Sequence, residues 1–177
     1  MSSLFVNTIK HTNATTAMTI DSSGRVSQSS LPIFHAVAVG GSGGGGQSLA
    51  LTTTSSELTV FTQVNVNKGN HYNNSTCRFT APIAGTYEFE MFFLSGNAND
   101  VYRFDFAKNG SMANFYPQLR LDTSDTTNTD YEFGSAAMFI ELAANDYMSV
   151  FGKSDAGNNA FVSPQGTYSY FRGRFVS

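Results

Sequence analysis

The sequence predicts an all-β fold, an antiparallel sandwich or jelly roll, from its composition, its residue alternation and its spacing of turns. Charged residues make up only 13% of the 177 residues, while aromatic residues make up 14%. Low charge combined with many aromatic, Ser, Thr, Asn and Gly residues is typical of all-β proteins. From about Thr59 onward the apolar residues recur with a period of two, which indicates half-buried strands, and no stretch shows the period of a helix.

The first 30 residues differ from the rest of the chain. They consist of short polar and apolar stretches divided by turn residues, and "DSSG" at 21–24 predicts a tight turn. The segment has too little apolar material for a core of its own. We therefore expect residues 1–30 to form a short extended stem, ordered by docking on something else or by winding with copies of itself.

The glycine-rich stretch "GGSGGGG" at 40–46 invites comparison with a phosphate-binding loop. The Lys-Ser/Thr pair of the P-loop is absent, however, and no helical pattern follows. A flexible surface loop is the better interpretation.

Alternation is clearest in "YEFEMFF", where Glu88 and Glu90 point away from the core. The opposite face of this strand carries Tyr87, Phe89, Met91 and Phe93. The stretch "VYRFDFAKNG" repeats the pattern, with a hairpin turn predicted at Asn109–Gly110. Further strands are predicted in "AAMFIEL", "DYMSVFG" and "YSYFRGRFV", at the spacing expected of a sandwich.

Cys77 is the only cysteine, so no disulfide can form within the chain. In "TCRFT" strand alternation would place Cys77 and Phe79 on one face. We expect a buried, inert thiol, since no cationic or histidine partner stands near it in the sequence.

Charge and hydropathy exclude two classes of partner. The net charge is −3 and the ten basic residues are scattered, so the sequence predicts no binding to nucleic acid. No segment approaches the ~20 apolar residues of a membrane span, so we expect no membrane insertion. The N-terminus lacks the pattern of a secretory signal, which predicts a protein made in the cytoplasm.

The stretch "RFTAPIAGTYEFE" is a strand, a break at Pro82 and a second strand. With the residues before it, this stretch resembles the signature of the complement C1q globular head, a family structurally akin to tumour necrosis factor. The signature positions are Phe61, Asn67, Tyr72, Phe79, Gly85, Tyr87 and Phe89. Met91 departs from it, since the signature ends there in Phe or Tyr. The resemblance covers residues 31–177 and implies a jelly-roll head that forms tight homotrimers and acts by recognition.

The segment "NTIKHTNATTAMTIDSSGRV" at 7–26 resembles one that recurs in bacteriophage structural and tail-fibre proteins. This implies a virion protein, assembled in the host cytoplasm, whose residues 1–30 attach to other virion proteins or trimerise. A short tail fibre or receptor-binding head is the first hypothesis, and a capsid fibre or decoration knob is the second. A polysaccharide depolymerase would need a carboxylate pair in a groove and usually a long β-helical body, so we expect no enzyme.

Successive turns of a jelly roll alternate between its two ends. The long connections at 95–100, 121–130 and 154–165 should therefore share one end. The short connections at 81–84, 109–110 and 143–145 should share the other end with the C-terminus. Because loops tolerate variation on a rigid scaffold, the long-loop end is where we expect recognition.

The candidate receptor-binding residues are the polar and aromatic residues of those long connections. They are Asp122, Asp125, Asp130, Tyr131, Asp155, Asn158 and Asn159. Amide and carboxylate groups can bond sugar hydroxyls, and an aromatic ring can stack on a sugar, so the expected partner is a host surface glycan or protein. Asp and Asn are also common turn formers, which is the alternative interpretation.

No cofactor is expected. The aspartates of 122–130 lack the glycine and closing glutamate of an EF-hand, and the three histidines are not spaced as zinc ligands. Some relatives of this fold hold calcium near the trimer axis, so a calcium ion at the trimer tip is one hypothesis that the resemblance adds.

Overall fold

A computed structural model of the chain describes residues 6–10, 16–28, 31–38, 47–95, 100–113, 116–123, 132–162 and 169–177. Within these ranges the chain forms sixteen β-strands and no helix, which confirms the predicted all-β class. No helix long and apolar enough to cross a membrane is found in the described residues. The chain divides into two compact units, Met1–Leu31 and Pro32–Ser177, here called the N-terminal unit and the head. The glycine-rich stretch 40–46 lies outside the described residues.

The N-terminal unit is a small antiparallel sheet. Its strands follow in the order β1 (Thr8–Lys10), β2 (Thr16–Ile20) and β3 (Val26–Ser27). The predicted turn at 21–24 joins β2 to β3, and the Gly24 amide donates to the Asp21 carbonyl at 2.9 Å. The described part of this segment is therefore a meander and not one extended stem.

The head contains two antiparallel sheets, and sheet I is arranged around β10 (Gly85–Ser95). This strand pairs with β13 (Glu132–Leu142) on one side and with β16 (Tyr170–Phe175) on the other. Beyond β16 lie β4 (Ile33–Val37) and then β7 (Gln63–Lys68). At the end of β10, Ser95 pairs with β15 (Ala160–Val162), which pairs in turn with β5 (Gln47–Leu49).

Sheet II faces sheet I across the core. Its strand order is β12 (Gln118–Asp122), β11 (Val101–Lys108), β14 (Tyr147–Ser154), β9 (Arg78–Thr80) and β8 (Tyr72–Asn73). The short strand β6 (Ser56–Glu57) also pairs with β14. Two such sheets with alternating connections make the jelly roll that the sequence predicts.

Aromatic side chains from both sheets fill the core. Phe93 of β10 stacks on Phe104 of β11, with ring centroids 3.7 Å apart. Phe34 of β4 stacks on Tyr72 at 4.7 Å and on Phe79 at 5.0 Å. Such pairs add about 0.5–1.5 kcal/mol each beyond the area they bury. The predicted inward face of β10 is confirmed, since four of its side chains are fully buried: Tyr87, Phe89, Met91 and Phe93.

The signature residues carry hydrogen bonds that hold this core. The Asn67 side chain donates to the Tyr72 carbonyl at 2.8 Å and accepts from the Tyr72 amide at 3.1 Å. The buried Tyr72 hydroxyl then donates to the Phe61 carbonyl at 2.8 Å, and the Tyr87 hydroxyl donates to the Ile83 carbonyl at 2.8 Å. These contacts satisfy polar groups inside an apolar core, which is a role in the fold.

Gly85 opens β10 where the chain leaves the break at Pro82. A Cβ atom there would lie 2.5 Å from the Ser177 carbonyl oxygen and 2.7 Å from the Phe175 ring. The φ angle of Gly85 is +153°. Only glycine fits so close an approach of backbone and ring.

The prediction that Cys77 lies on a strand is wrong, although the thiol is buried as expected. β9 begins at Arg78, and Cys77 has a φ of +54° in the turn that precedes it. Tyr72 pairs with Phe79 and Asn73 with Arg78, so residues 74–77 form a four-residue hairpin loop. Loops of this length commonly end in a left-handed residue, which local alternation does not indicate.

Candidate binding site

The strand ends of the head fall into two poles. At the first, Ser95 pairs with Glu132, and Val101 pairs with Asp122. Ser154 lies at the same level, opposite Tyr102. The connections that follow Ser95, Asp122 and Ser154 therefore leave the same end, as predicted, but the third, expected as a loop over 154–165, contains strand β15 (Ala160–Val162). We call this end the loop pole.

The opposite end, the turn pole, holds the short connections. The Asn145 amide donates to the Ala81 carbonyl, and the Ala81 amide donates to the Asp146 carbonyl, both at 2.8 Å. Lys108 and Ser111 exchange two backbone hydrogen bonds around the predicted Asn109–Gly110 turn. The Thr86 amide donates to the Ser177 carbonyl at 2.7 Å, so the C-terminal residue lies here, as expected.

Asp100 ties the loop pole together from inside. Only 3% of its surface is exposed. Its carboxylate accepts from the amides of Val101 at 2.6 Å, Ala156 at 3.0 Å and Asn158 at 3.2 Å. A fourth donor is the Ser154 hydroxyl, which makes a short hydrogen bond to it. One side chain thus fixes the end of β14 and the backbone that follows.

The backbone of Asp100 is hydrogen-bonded to Thr123, in the connection 121–130. The Thr123 amide donates to the Asp100 carbonyl at 2.9 Å, and the Thr123 hydroxyl does so at 3.0 Å. The Asp100 amide in turn donates to the Thr123 hydroxyl at 3.3 Å. We call this group of bonds the Asp100 clamp, and it joins all three connections of the loop pole.

The hydrogen-bond donors of the clamp also keep the Asp100 carboxyl ionised. Burial alone would raise the pKa of the Asp100 carboxyl, because an apolar environment disfavours the ion. The hydrogen bonds from Ser154 and from the Ala156, Val101 and Asn158 amides outweigh burial, and the net pKa is lowered. All of these donors are neutral groups.

Three predicted binding residues lie on the segment that the clamp holds. Asp155, Asn158 and Asn159 are exposed. The Asn159 carbonyl accepts from the Tyr102 hydroxyl at 3.1 Å, so its backbone is also fixed to the core. Arg103 holds the Asp155 carboxylate with Nη2 at 2.7 Å and Nε at 3.0 Å, which lowers the pKa of that carboxyl. The segment therefore presents polar side chains from an anchored backbone.

The other predicted binding residues belong to the connection after β12. Asp122 is half-buried, lies opposite Val101 and pairs with Arg120 at 2.7 Å. It is thus on the strand that borders the clamp. Asp125, Asp130 and Tyr131 lie outside the described residues, and their part in binding stays a prediction.

A second surface lies on the outward face of sheet I, and the sequence pattern did not predict its aromatic residues. Phe133 and Phe139 of β13 are 67% and 65% exposed. Phe133 is followed across the sheet by Phe92, Tyr170 and His35, with centroid distances of 6.2, 5.5 and 5.3 Å between successive rings. We call these four residues the aromatic row. The alternation along β13 could have indicated that Phe133 points outward, because residues next to the inward positions of a strand lie on its opposite face.

Charged pairs border the aromatic row. Arg172 pairs with Glu90 at 2.5 Å and Arg174 pairs with Glu88 at 2.6 Å, across the β10–β16 ladder. A groove of about 310 Å³ opens between these pairs and His35. Burial would raise the pKa of Glu90, but hydrogen bonds from Tyr170 and Arg172 lower it overall. Glu90 is therefore held as a carboxylate, whereas a glycosidase acid needs a raised pKa.

The described residues contain no group of three or more His, Cys, Asp or Glu placed to hold a metal ion. Asp125 and Asp130 fall outside that search, so calcium at a trimer tip stays a prediction. The described acidic residues of the loop pole bond to donors: Asp100 to amides and a hydroxyl, Asp155 to Arg103.

Comparisons with known proteins agree on the type of domain. A family model for the C1q domain matches residues 46–176. The globular domain of zebrafish complement 1qA is similar in structure, with a TM-score of 0.50 and 16% identity over 82% of this chain and 98% of that one. Murine APRIL at pH 5.0 is similar with a TM-score of 0.56 and 14% identity, over 82% and 99% of the two chains. A search of curated proteins gives no significant match.

At such low identities the two solved structures establish the fold alone, while the family model covers most of the sequence. The matched region begins at residue 46, after the predicted start at 31 and after β4, which nevertheless pairs within sheet I. The prediction from the C1q signature is confirmed: this chain belongs to the C1q domain family.

Proposed function

We propose that this chain is a homotrimeric, non-catalytic binding head that presents its loop pole to a host surface glycan or protein. The observation that carries this proposal is the Asp100 clamp. It holds the backbone of 154–159 rigidly while Asp155, Asn158 and Asn159 stay exposed. An anchored backbone with exposed polar side chains suits recognition, because little backbone conformational freedom is lost on binding.

Two features support self-association of the head. Domains of the C1q and tumour necrosis factor type usually form homotrimers. The outward face of sheet I also exposes Phe133, which belongs to the aromatic row, and Phe139, which lies six residues farther along β13. Large exposed aromatic patches usually mark an interface. Three linked loop poles would then bind a repetitive surface with avidity, even when one site is weak.

The proposed setting is a bacteriophage virion, with the head as a short tail fibre or receptor-binding head. Its support is the resemblance of residues 7–26 to tail-fibre segments, and residues 1–30 would attach to other virion proteins. The alternative is a capsid fibre or decoration knob attached through the same segment, with recognition secondary.

Immunogold labelling of whole particles with an antibody against residues 31–177 distinguishes these positions. Gold at the tail supports the receptor-binding head, and gold spread over the capsid supports the decoration protein. Free protein should then block particle adsorption to host cells, and the double variant Asn158→Ala, Asn159→Ala should block it at least about tenfold less well, a loss of about 1.4 kcal/mol.

Asn70→Gly is a matched control, since Asn70 is exposed, outside the loop pole, and has a φ of +59° that glycine also adopts. The control should block adsorption as the unaltered protein does. Equal loss in both variants would contradict a site at the loop pole. Release of reducing sugar from capsule above a heat-killed control would contradict the non-catalytic role.

A further inference from the structure

The N-terminal unit has one apolar face, which its strand register defines. Ile9 of β1 lies opposite Met18 of β2, and Ile20 of β2 lies opposite Val26 of β3. Directly opposed residues share a face, as do Met18 and Ile20, which are two apart on one strand. These four side chains form what we call the meander face.

The other face of the same sheet is polar. Thr8 lies opposite Thr19, and Thr19 lies opposite Ser27. Each of these residues is next in sequence to a residue of the meander face, so its side chain lies on the opposite face. The unit therefore has the binary pattern of a sheet that is covered on one side only.

Within the described part of one chain, the meander face is in contact with water. Ile9 is 46% exposed and Val26 is 59% exposed, while Met18 and Ile20 are half-buried. The unit has three strands of three, five and two residues. Its strands are at the short end of the usual range, so the sheet is expected to gain stability when its apolar face is packed. We therefore expect this face to be covered in the assembled protein.

We propose that the meander face packs against the meander faces of other copies of this chain. The face is too small for an independent interface, since stable complexes bury roughly 800 Å² per partner and four aliphatic side chains supply far less. It suffices between chains already held together, because tethering raises the effective concentration into the millimolar range. This step rests on the proposed self-association of the head.

Charge in the N-terminal unit does not oppose such packing. Residues 1–31 contain Lys10, Asp21 and Arg25, for a net charge of +1. Asp21 and Arg25 pair with each other at 2.7 Å, and the meander face itself carries no charged side chain. Copies of the unit can therefore approach with little repulsion.

Cysteine cross-linking in the full chain tests this proposal. Cys77 is 1% exposed, so an introduced cysteine is the reactive thiol. Val26→Cys places a thiol on the meander face, and Ser27→Cys, one residue away, places it on the polar face. With a short bismaleimide we expect Val26→Cys to give covalent dimers at least about fivefold more efficiently than Ser27→Cys.

A second pair of variants tests the packing without a thiol. Ile9→Asp should remove hydrogen-exchange protection from the amides of β1–β3, because a carboxylate on the meander face prevents burial. Thr8→Asp, on the polar face, should leave that protection unchanged.

Light scattering on the same samples separates this proposal from the proposed function. Cross-linking specific to Val26→Cys supports the packing of meander faces. A trimeric mass without that cross-link, or with protection that survives Ile9→Asp, overturns the packing and leaves self-association of the head standing. A monomeric mass without the cross-link overturns both.

Discussion

The loop pole and the turn pole are each tied by one aspartate, but the two aspartates are bonded differently. Asp100 is buried and accepts from the Ser154 hydroxyl and from backbone amides. Asp146 is partly exposed and pairs with Lys108 at 2.8 Å, while it accepts from the Asn109 side chain and the Ala143 amide at 2.8 Å. One pole is held by neutral donors to a buried ion and the other by an ion pair at the surface.

The connections explain this difference. At the turn pole, Asn109, Gly110 and Asn145 adopt left-handed conformations with φ of +52°, +76° and +73°, so the turns are set locally by their own residues. The loop pole has the longer connections, and Gly157, with a φ of +78°, is the only left-handed residue among its described residues. Within the described residues, the buried Asp100 holds the backbone of 154–159, and the side chains of Asn158 and Asn159 stay exposed. The comparison teaches that the turn pole is set by local turn conformations, whereas the described part of the loop pole is held by contacts between residues distant in the chain.

The largest expected difference between the poles comes from two glycines. Gly85→Ala should destabilise the head by about 3 kcal/mol, because its Cβ would overlap the Ser177 carbonyl and the Phe175 ring. Gly157→Ala, at the loop pole, should cost only about 1 kcal/mol, because it has a φ of +78° but its nearest contact is Thr53 at 3.8 Å. Urea unfolding at one fixed protein concentration measures both. Equal losses would mean that the two poles are packed alike.

Breaking the clamp should have the next largest effect. Asp100→Asn removes the charge that four donors share, and we expect a loss of about 2 kcal/mol in the free energy of unfolding. Hydrogen exchange should show the amides of Ala156 and Asn158 losing protection before the core does. Asp105→Asn on β11, the strand that follows Asp100, is the control, since its carboxylate accepts from Gln118 at 2.8 Å, and it should cost about 0.5 kcal/mol or less. A clamp variant with unchanged exchange at 156 and 158 would show that Asp100 does not order the loop.

Acid should weaken the turn pole through Asp146. The hydrogen bond and charge of Lys108, with bonds from Asn109 and Ala143, lower the pKa of Asp146 from 3.8 to about 2. The unfolded chain therefore binds the proton first, so the stabilisation is complete above about pH 5 and is lost as the pH falls towards about 2. Unfolding measured across this range should show a slope of at most about 1.4 kcal/mol per pH unit from this group, which Asp146→Asn removes. An unchanged slope in that variant would contradict the assignment.

The smallest effect on stability is expected for the exposed ion pair of the loop pole. Arg103→Ala and Asp155→Ala should each lower the urea midpoint only slightly, and a double-mutant cycle should give a small coupling that falls at high salt. Their side chains are 30% and 37% exposed, so water screens the pair. A coupling as large as the loss in Asp100→Asn would show that the ion pair, and not the clamp, orders this pole.

Much of the scaffold could be predicted because it follows from local pattern. The alternation in β10 and β11 gives the buried faces, and Asn109–Gly110 gives its own hairpin turn. Cys77 shows the limit of this approach. Its left-handed conformation depends on the length of the 74–77 loop between two paired strands, and alternation alone assigns it to the strand.

The clamp could not be predicted, because its partners are distant in the chain. Asp100 lies 54 residues from Ser154 and 58 from Asn158, and no spacing rule connects them. The sequence offers only an acidic residue directly before an alternating apolar strand. The exposure of Phe139 was likewise missed, although its phase on β13 is opposite to that of the buried Leu142.

The position of β16 has a consequence for how the protein is made. This strand, at residues 170–175, lies between β10 and β4 in the middle of sheet I. During translation β4 and β10 emerge before β16 and must wait for it to join them. Until then Phe34 and Phe89 lack the buried Phe171 between them, and the nascent chain exposes aromatic surface that can aggregate. Folding of the head is therefore expected to follow synthesis of β16.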